Sequence, residues 1–453
     1  MSDTIGCGTG DTCLSIVNSL KEHFHHDREY TSRHLWLGSI PITLLGLRTL
    51  INFPQSLTMI REQLLSVDGL DHLVEERLKG LGHNVSECTL DDLISELLDG
   101  MLLVIHEPSG TYISVIPVAQ PINRSVAVPL TENVVRGSSS AFNEDIGINI
   151  GLLRKHINSS ELQIATYRFG EESKNCVILS YMDTKIDPTL LKSITDAIES
   201  NLDKDITNVQ ELSRMFGFSN FTLVTRYNTT ELPQSAARAL KNGKAVLFIE
   251  RLPFALVLPS LVSDMFVIAD DSNHPPVFAV TLGLIRIIGA LITLIIPGLY
   301  VALVSVNPDV LRFELAHSIA RSRIDVPYPA IVETLLLLFI LELTLEAIIR
   351  LPPSIGPTVT MVGAIVLGQA VVAAKLVSSL LIIVLAATSI SSATIVGYQN
   401  GLTIRLFKYI LLLLSAIFGV LGLLFGIVII CSYLAGVKSL GVPYLQLKNP
   451  EGE

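Results

Sequence analysis

Little in this chain is charged, aromatic or sulfur-bearing. Of 453 residues 16% are charged and 6% aromatic, with one tryptophan and five cysteines. Cys7, Cys13, Cys88, Cys176 and Cys431 are scattered, odd in number and never in C-x-x-C spacing. That excludes a disulfide framework or a zinc ribbon and reads as reduced thiols. Catalytic signatures are missing too. No G-x-S-x-G, G-x-x-x-x-G-K-[ST] or H-E-x-x-H occurs, and no G-x-G-x-x-G opens a helix. The glycine-rich GCGTGDT at 6–12 follows no strand and reads as a tail rather than a phosphate loop. His23, His25, His26 and Asp27 have no distant partner at ligand spacing, so a solvated helix end is expected there, not a metal site. Neither an enzymatic activity nor a cofactor is expected. Residues 1–20 lack a basic n-region and an adequate h-region, so no signal peptide is expected either.

Apolar residues are abundant, at 49% of the chain, and they are unevenly placed. Residues 1–276 carry 34 acidic and 22 basic side chains, whereas residues 277–453 carry eight and ten. The front half is therefore an acidic α/β region. Its surface argues against nucleic acid, which needs basic patches. The back half holds four apolar runs, at 277–306, 330–349, 358–398 and 406–433. About 20 apolar residues cross a bilayer core, so an all-α polytopic membrane bundle over 275–436 is expected. The 41-residue third run is either a helical hairpin or a re-entrant segment followed by one span, which gives four or five segments. The fourth run is the most uniformly apolar and is expected to face lipid. Between the first two runs, VLRFELAHSIA (310–320) has the pattern of an amphipathic helix lying on the membrane. The front domain is expected in the cytoplasm.

The front half reads as one unit used twice. A helix (15–23), two strands about Gly38 (33–37 and 42–47) and a helix (55–65) match a helix (145–157), two strands about Gly170 (162–169 and 176–181) and a helix (188–200). Each copy then closes with a helix ending at a glycine, Gly100 or Gly243, followed by two apolar strands, as 93–116 aligns with 235–258. The expected organisation is an N-terminal tail and first helix (1–30), subdomain 1 (31–122), a Ser-, Gly- and Pro-bearing linker (123–142), subdomain 2 (143–274), the helical membrane domain (275–436) and a C-terminal tail (437–453).

Charges inside the apolar runs are the most informative side chains, because a charge in lipid costs roughly 3 kcal/mol or more. Glu342 and Glu346 are four apart and share a helix face. In a ring of subunits they would attract cations; alternatively they pair with Arg286 or Arg350 and hold helices together. Glu333 is out of phase with them and suits a helix N-terminus near the interface. Val362, Ile365, Val366 and Gln369 lie near one face of a Gly- and Ala-rich segment. That face serves either close packing or a hydrophobic gate that closes by dewetting.

Several stretches together carry a resemblance. They are NRSVAVPLTENVVRGSSSAFNEDIGINIGLLRKHI (123–157), LPFALVLPS (252–260), PGLYVALVSVNPDVL (297–311), SIARSRIDVPYPAIVE (318–333), VGAIVLGQAVVAAKLVSS (362–379) and SLGVPYL (439–445). In order and spacing the chain resembles the A subunits of the spore germinant receptors, the GerA family. It departs from that pattern at Ser138, Ser139, Ser140 and Ile148. The resemblance implies a multi-pass subunit in the inner membrane of a bacterial spore. It also implies a transporter-like B subunit and a lipoprotein C subunit as partners, a homo-oligomer around an ion path, and release of monovalent cations when nutrient binds. Two functions follow from it. One is a ligand-gated cation path that triggers germination. The other is a non-conducting scaffold or signalling subunit, coupling a transporter-like ligand-binding subunit to downstream partners.

Overall fold

The computed structural model describes residues 10–24, 29–37, 40–64, 80, 82–85, 89–108, 111–118, 129, 132, 140–170, 175–206, 208–219, 221–351 and 368–446. Val362, Ile365, Val366, Cys7 and Cys88 lie outside them. Two compact units emerge. One comprises 1–218, 229–259 and 449–453; the other comprises 219–228 and 260–448. The boundary expected at 274/275 thus falls at 259/260, and ten residues from the middle of the α/β sequence, 219–228, pack with the helices.

In the first unit, α1 (Gly10–His23), β1 (Tyr30–Leu37), β2 (Ile40–Leu47), α2 (Phe53–Leu64), β3 (Gly82–Asn84), α3 (Leu90–Leu98), β4 (Leu102–His106) and β5 (Thr111–Val115) make subdomain 1. Its sheet order is β1-β2-β4-β5-β3. Subdomain 2 follows with α4 (Ile146–His156), β6 (Leu162–Phe169), β7 (Asn175–Met182), α5 (Pro188–Glu199), α6 (Val209–Met215), β8 (Asn228–Thr230), α7 (Pro233–Lys241), β9 (Ala245–Ile249) and β10 (Ala255–Leu258). Its order is β6-β7-β9-β10-β8. Position for position this is the same topology, as the sequence repeat requires.

Each sheet is buried on both faces, which is why its central strands read as unbroken apolar runs rather than alternating ones. Ile42, Leu44, Leu102 and Val104 pack with Phe53 and Ile60 of α2 on one side. Leu45, Leu103 and Ile105 pack with Val17, Leu20, Leu93 and Leu97 of α1 and α3 on the other. In subdomain 2, α4 and α7 cover Ile164, Ile178, Val246 and Phe248. Helix starts follow local chemistry. Asp145 caps α4 through the Gly147 and Ile148 N–H groups, and Thr89 and Asp92 form a reciprocal capping box on α3. Gly100 (φ 83°) and Gly243 (φ 73°) end the matching helices α3 and α7 in the left-handed conformation.

The second unit is helical: α8 (Pro276–Val301, continued by a π turn to Val306), α9 (Phe313–Ser322), α10 (Ala330–Arg350), α11 (Ser379–Ser392) and α12 (Tyr398–Gly436). Two of these stretches, Pro276–Val306 and Tyr398–Gly436, are long and apolar enough to cross a membrane. The second is not one rod. Gly419 has φ 64° and ψ −141°, a region open only to glycine. There the chain reverses. The Phe407 and Tyr433 rings lie 6.0 Å apart, whereas 26 residues of straight helix would separate them by about 39 Å. Gly426 and Leu411 are packed so closely that a Cβ on the glycine would meet Leu411 Cδ2 at 2.5 Å. The run expected as a single lipid-facing span is therefore a two-armed hairpin. Asn307, at the end of the π turn, holds the bend by accepting the Val420 N–H at 3.0 Å.

At the opposite end of this unit, residues 219–228 thread between helix ends and the chain tail. The Tyr433 hydroxyl accepts the Leu223 N–H at 3.0 Å, and Thr403 Oγ1 donates to the Leu223 carbonyl at 3.0 Å. Ser439 Oγ donates to the Arg226 carbonyl at 2.7 Å, and the Val262 N–H to the Tyr444 carbonyl at 2.9 Å.

Candidate functional site

Three polar clusters stand among the apolar side chains of the helical unit. The first is centred on Glu342 of α10. Its carboxylate accepts from Arg405 Nη1 at 3.1 Å, Lys408 Nζ at 3.2 Å and the Tyr409 hydroxyl at 3.4 Å, all from the first arm of α12. Lys408 also lies 4.9 Å from the Tyr409 ring centroid, a cation–π contact. Two cations thus share one carboxylate, and Lys408 is buried. In a low-dielectric surrounding that arrangement fixes the helices firmly, since removing the carboxylate would leave uncompensated charge.

The second cluster surrounds Glu333, whose side chain is fully enclosed. Oε1 accepts the Ser378 N–H at 2.5 Å, at the N-terminus of α11, and Arg323 Nη2 stands 3.3 Å from Oε2. Tyr300 of α8 joins through a 3.0 Å hydrogen bond with Ser378 Oγ. Glu333 therefore sits in the first turn of its own helix, as expected, and also accepts at the N-terminus of α11 across the interface. The third cluster is Arg286 with Asp271, a two-pronged ion pair with Nη2···Oδ1 at 2.9 Å reinforced by Nη1 donating to the Phe266 carbonyl at 2.9 Å.

The side chains singled out in the sequence are thus dispersed. Glu342 and Glu346 share α10 but not a partner. Glu346 forms an exposed ion pair with Arg350 on its own helix, and Arg286 meets Asp271 rather than either glutamate. Gln369 is exposed on a short helical stretch at 368–373. Arg405 and Lys408 were not flagged from sequence. Lys408 is one charge within an apolar run, and Arg405 lies one residue before that run's expected start. Their signal is the spacing of 405 and 408, three apart and so on one helix side. Among the described residues no three His, Cys, Asp or Glu side chains stand close enough to share a metal ion.

The α/β unit holds a cleft of about 960 Å³ between its two subdomains, which sequence reasoning did not reveal. Arg48, Thr49 and Glu29 line it from subdomain 1, and Asp145, Thr166 and Arg168 from subdomain 2. The subdomains touch where Asn158 Nδ2 donates to Asp99 Oδ1 at 2.5 Å. They also touch where Gly151 lies against the Thr49 carbonyl, 3.1 Å from where a Cβ would stand. Cys176 also lines the cleft and is a free thiol; burial pushes its pKa up, so it is a poor nucleophile at neutral pH.

Comparison with known proteins bears on both units. The family model described as Bacillus/Clostridium GerA spore germination protein matches residues 18–451. Spore germination protein GerLA of Bacillus cereus is 30% identical over 356 residues, covering 79% of this chain and 72% of that protein. Spore germination protein A1 of Bacillus subtilis (strain 168) is 30% identical over 397 residues, covering 87% and 80%. GerQA of Bacillus cereus is 28% identical over 441 residues, covering 96% and 87%. Among solved structures, the N-terminal domain of the A subunit of the Bacillus megaterium spore germinant receptor GerK3 matches with a TM-score of 0.39 and 21% identity. That match covers 54% of this chain and 93% of that one.

Proposed function

Since this chain belongs to the Bacillus/Clostridium GerA spore germination protein family, we propose that it is the membrane subunit of a nutrient germinant receptor and that copies of it assemble around a cation path. The carrying observation is the Glu342–Arg405–Lys408 cluster. It holds three ionisable groups between α10 and the first arm of α12, the latter part of a stretch long and apolar enough to cross a membrane. Such groups persist in lipid only when they face protein, water or an ion. In the arrangement seen here the Glu342 carboxylate is already neutralised, so it attracts cations only once α10 and the first arm of α12 separate. The gate lies on the face bearing Val362, Ile365, Val366 and Gln369, which closes by dewetting. The transporter-like B subunit and lipoprotein C subunit complete the receptor in the spore's inner membrane, with the α/β unit in the cytoplasm.

The experiment is cation efflux from liposomes and dormancy of spores carrying variants. Val362→Ala or Val366→Ala should raise resting leak severalfold, and Glu342→Gln with Glu346→Gln should reduce stimulated flux. A folded receptor indifferent to all four substitutions would leave the non-conducting scaffold as the function.

A second reading is favoured by the cleft of the α/β unit. Arg48 and Arg168 oppose Glu29 and Asp145 around it, a lining suited to a small molecule bearing both charges, such as a free amino acid. On this reading the chain senses nutrient itself.

A further inference from the structure

Helix α9 is ten residues long and buries none of them. An isolated helix of that length is marginal in water, and within the chain only Ala316, Ile319 and Ser322 of α9 are even partly covered. Its outward strip is apolar: Phe313, His317, Ala320 and, just past the helix end, Ile324 recur at intervals of three and four and are all exposed. Phe313 is 85% exposed and Ile324 75%. The His317 ring stacks on Phe313, 6.3 Å between centroids and 12° between planes, so the one titratable group in the strip is folded over an apolar surface. Arg321 borders the strip in the last turn, and Ser318 and Glu314 mark the more polar flank.

The position of α9 identifies what covers this strip. Five residues separate Asn307, at the end of α8, from Phe313. Beside that end, the hairpin tip exposes Ile417, Phe418 and Leu421. The strip thus follows closely in the chain on an end of α8 that lies beside exposed apolar side chains of the hairpin tip, a surface that acyl chains would cover. The far end of α9 is tied down: Arg323 donates to the Tyr328 carbonyl at 3.1 Å and reaches Glu333, and Asp325 pairs with Lys375 at 2.8 Å. A helix anchored at both ends beside a span, apolar outward, has the geometry of an interfacial helix.

We infer that α9 lies in the headgroup layer of a phospholipid bilayer, with Phe313, Ala320 and Ile324 inserted below the headgroups and Arg321 held at their phosphates. The inference rests on the reading that α8 and α12 cross that bilayer. It is tested by moving the chain's single tryptophan. In a Trp36→Phe background, Phe313→Trp, Ser318→Trp and Phe425→Trp are reconstituted separately as full-length chains. The vesicles contain phosphatidylcholine alone or with phosphatidylglycerol, and lipids brominated near the headgroup or deep in the chain. Tryptophan at 313 should be quenched best by shallow bromine, and by aqueous iodide about threefold less than tryptophan at 318. Iodide quenching at 313 equal to that at 318 overturns the inference, and so does a buried emission at 313 untouched by either bromine position, which would signal a protein partner or a second copy. Phe425 lies on an exposed face of the hairpin. If tryptophan there also escapes bromine, the spanning reading itself has failed; if it is quenched while 313 is not, only the placement of α9 has. Stronger shallow quenching at 313 with phosphatidylglycerol present would assign the Arg321 contact to anionic headgroups, and equal quenching to the phosphate common to both.

Discussion

Glu342 shows how a single carboxylate can hold more than one helix surface. It lies between α10 and the hairpin and takes hydrogen bonds from Arg405, Lys408 and Tyr409. Glu342→Gln alone should cost about 3 kcal/mol, because two cations are left facing each other in apolar surroundings. Adding Lys408→Met removes one of them, so the double variant should recover part of that loss, with a coupling of about 1 kcal/mol or more. Strict additivity, read from unfolding of the detergent-solubilised chain, would show that the three groups do not act together. Glu132 gives the α/β unit a pH dependence. It accepts a hydrogen bond from Thr230 Oγ1 at 3.0 Å, and burial raises its pKa from 4.5 to about 7. A carboxyl raised on folding favours the folded state when protonated. Its contribution is therefore complete below about pH 4.5 and lost as pH rises through about 7. The melting temperature should fall over that window, and Glu132→Gln should flatten the fall; an unchanged slope would discount this carboxyl.

At the scale of elements, the hairpin of α12 depends on one backbone conformation. Gly419→Ala meets both a forbidden φ/ψ and the Asn307 side chain. It should cost about 2 kcal/mol or more, whereas Asn307→Ala, which only removes the acceptor for the Val420 N–H, should cost about 1 kcal/mol. If Gly419→Ala melts like the parent chain, the reversal is not at that residue. The hairpin was illegible in the sequence because an uninterrupted apolar run contains no turn signal. Gly419, Gly422 and Gly426 read equally well as a packing stripe. The duplication was legible because its signals are local: a helix stop at Gly100 or Gly243, then two apolar strands. Glu333 was read as capping near its own helix start. Its partner Ser378 lies 45 residues away, and such pairings cannot be read from spacing alone.

Across the whole molecule the division into an α/β region and apolar helices followed from charge and hydrophobicity, which are additive along the chain. The cleft did not, since it exists only where two repeats face each other. Arg48 and Arg168 are 120 residues apart and neither sits in a motif. If the cleft takes a small zwitterion, the full chain should gain several degrees of melting temperature with a free amino acid at saturating concentration. Arg168→Ala should abolish the gain while leaving the unliganded melting temperature nearly unchanged. A panel of amino acids without effect on the parent chain would return nutrient recognition to a partner subunit.

The bend at Gly419 also decides a matter of parity. Had 406–433 been one rod, its two ends would open into different compartments. Folded back, the hairpin delivers the tail to where it began: Tyr444 bonds to Val262 and Ser439 to Arg226, beside the residues that lead into α8. If α8 and the arms of the hairpin cross a bilayer, residues 219–228, 260–271 and 437–446 share one aqueous side and the Asn307 bend lies toward the other. A protease site engineered after 446 and one placed at 272–275 would be cut together or spared together, whichever way the protein is inserted.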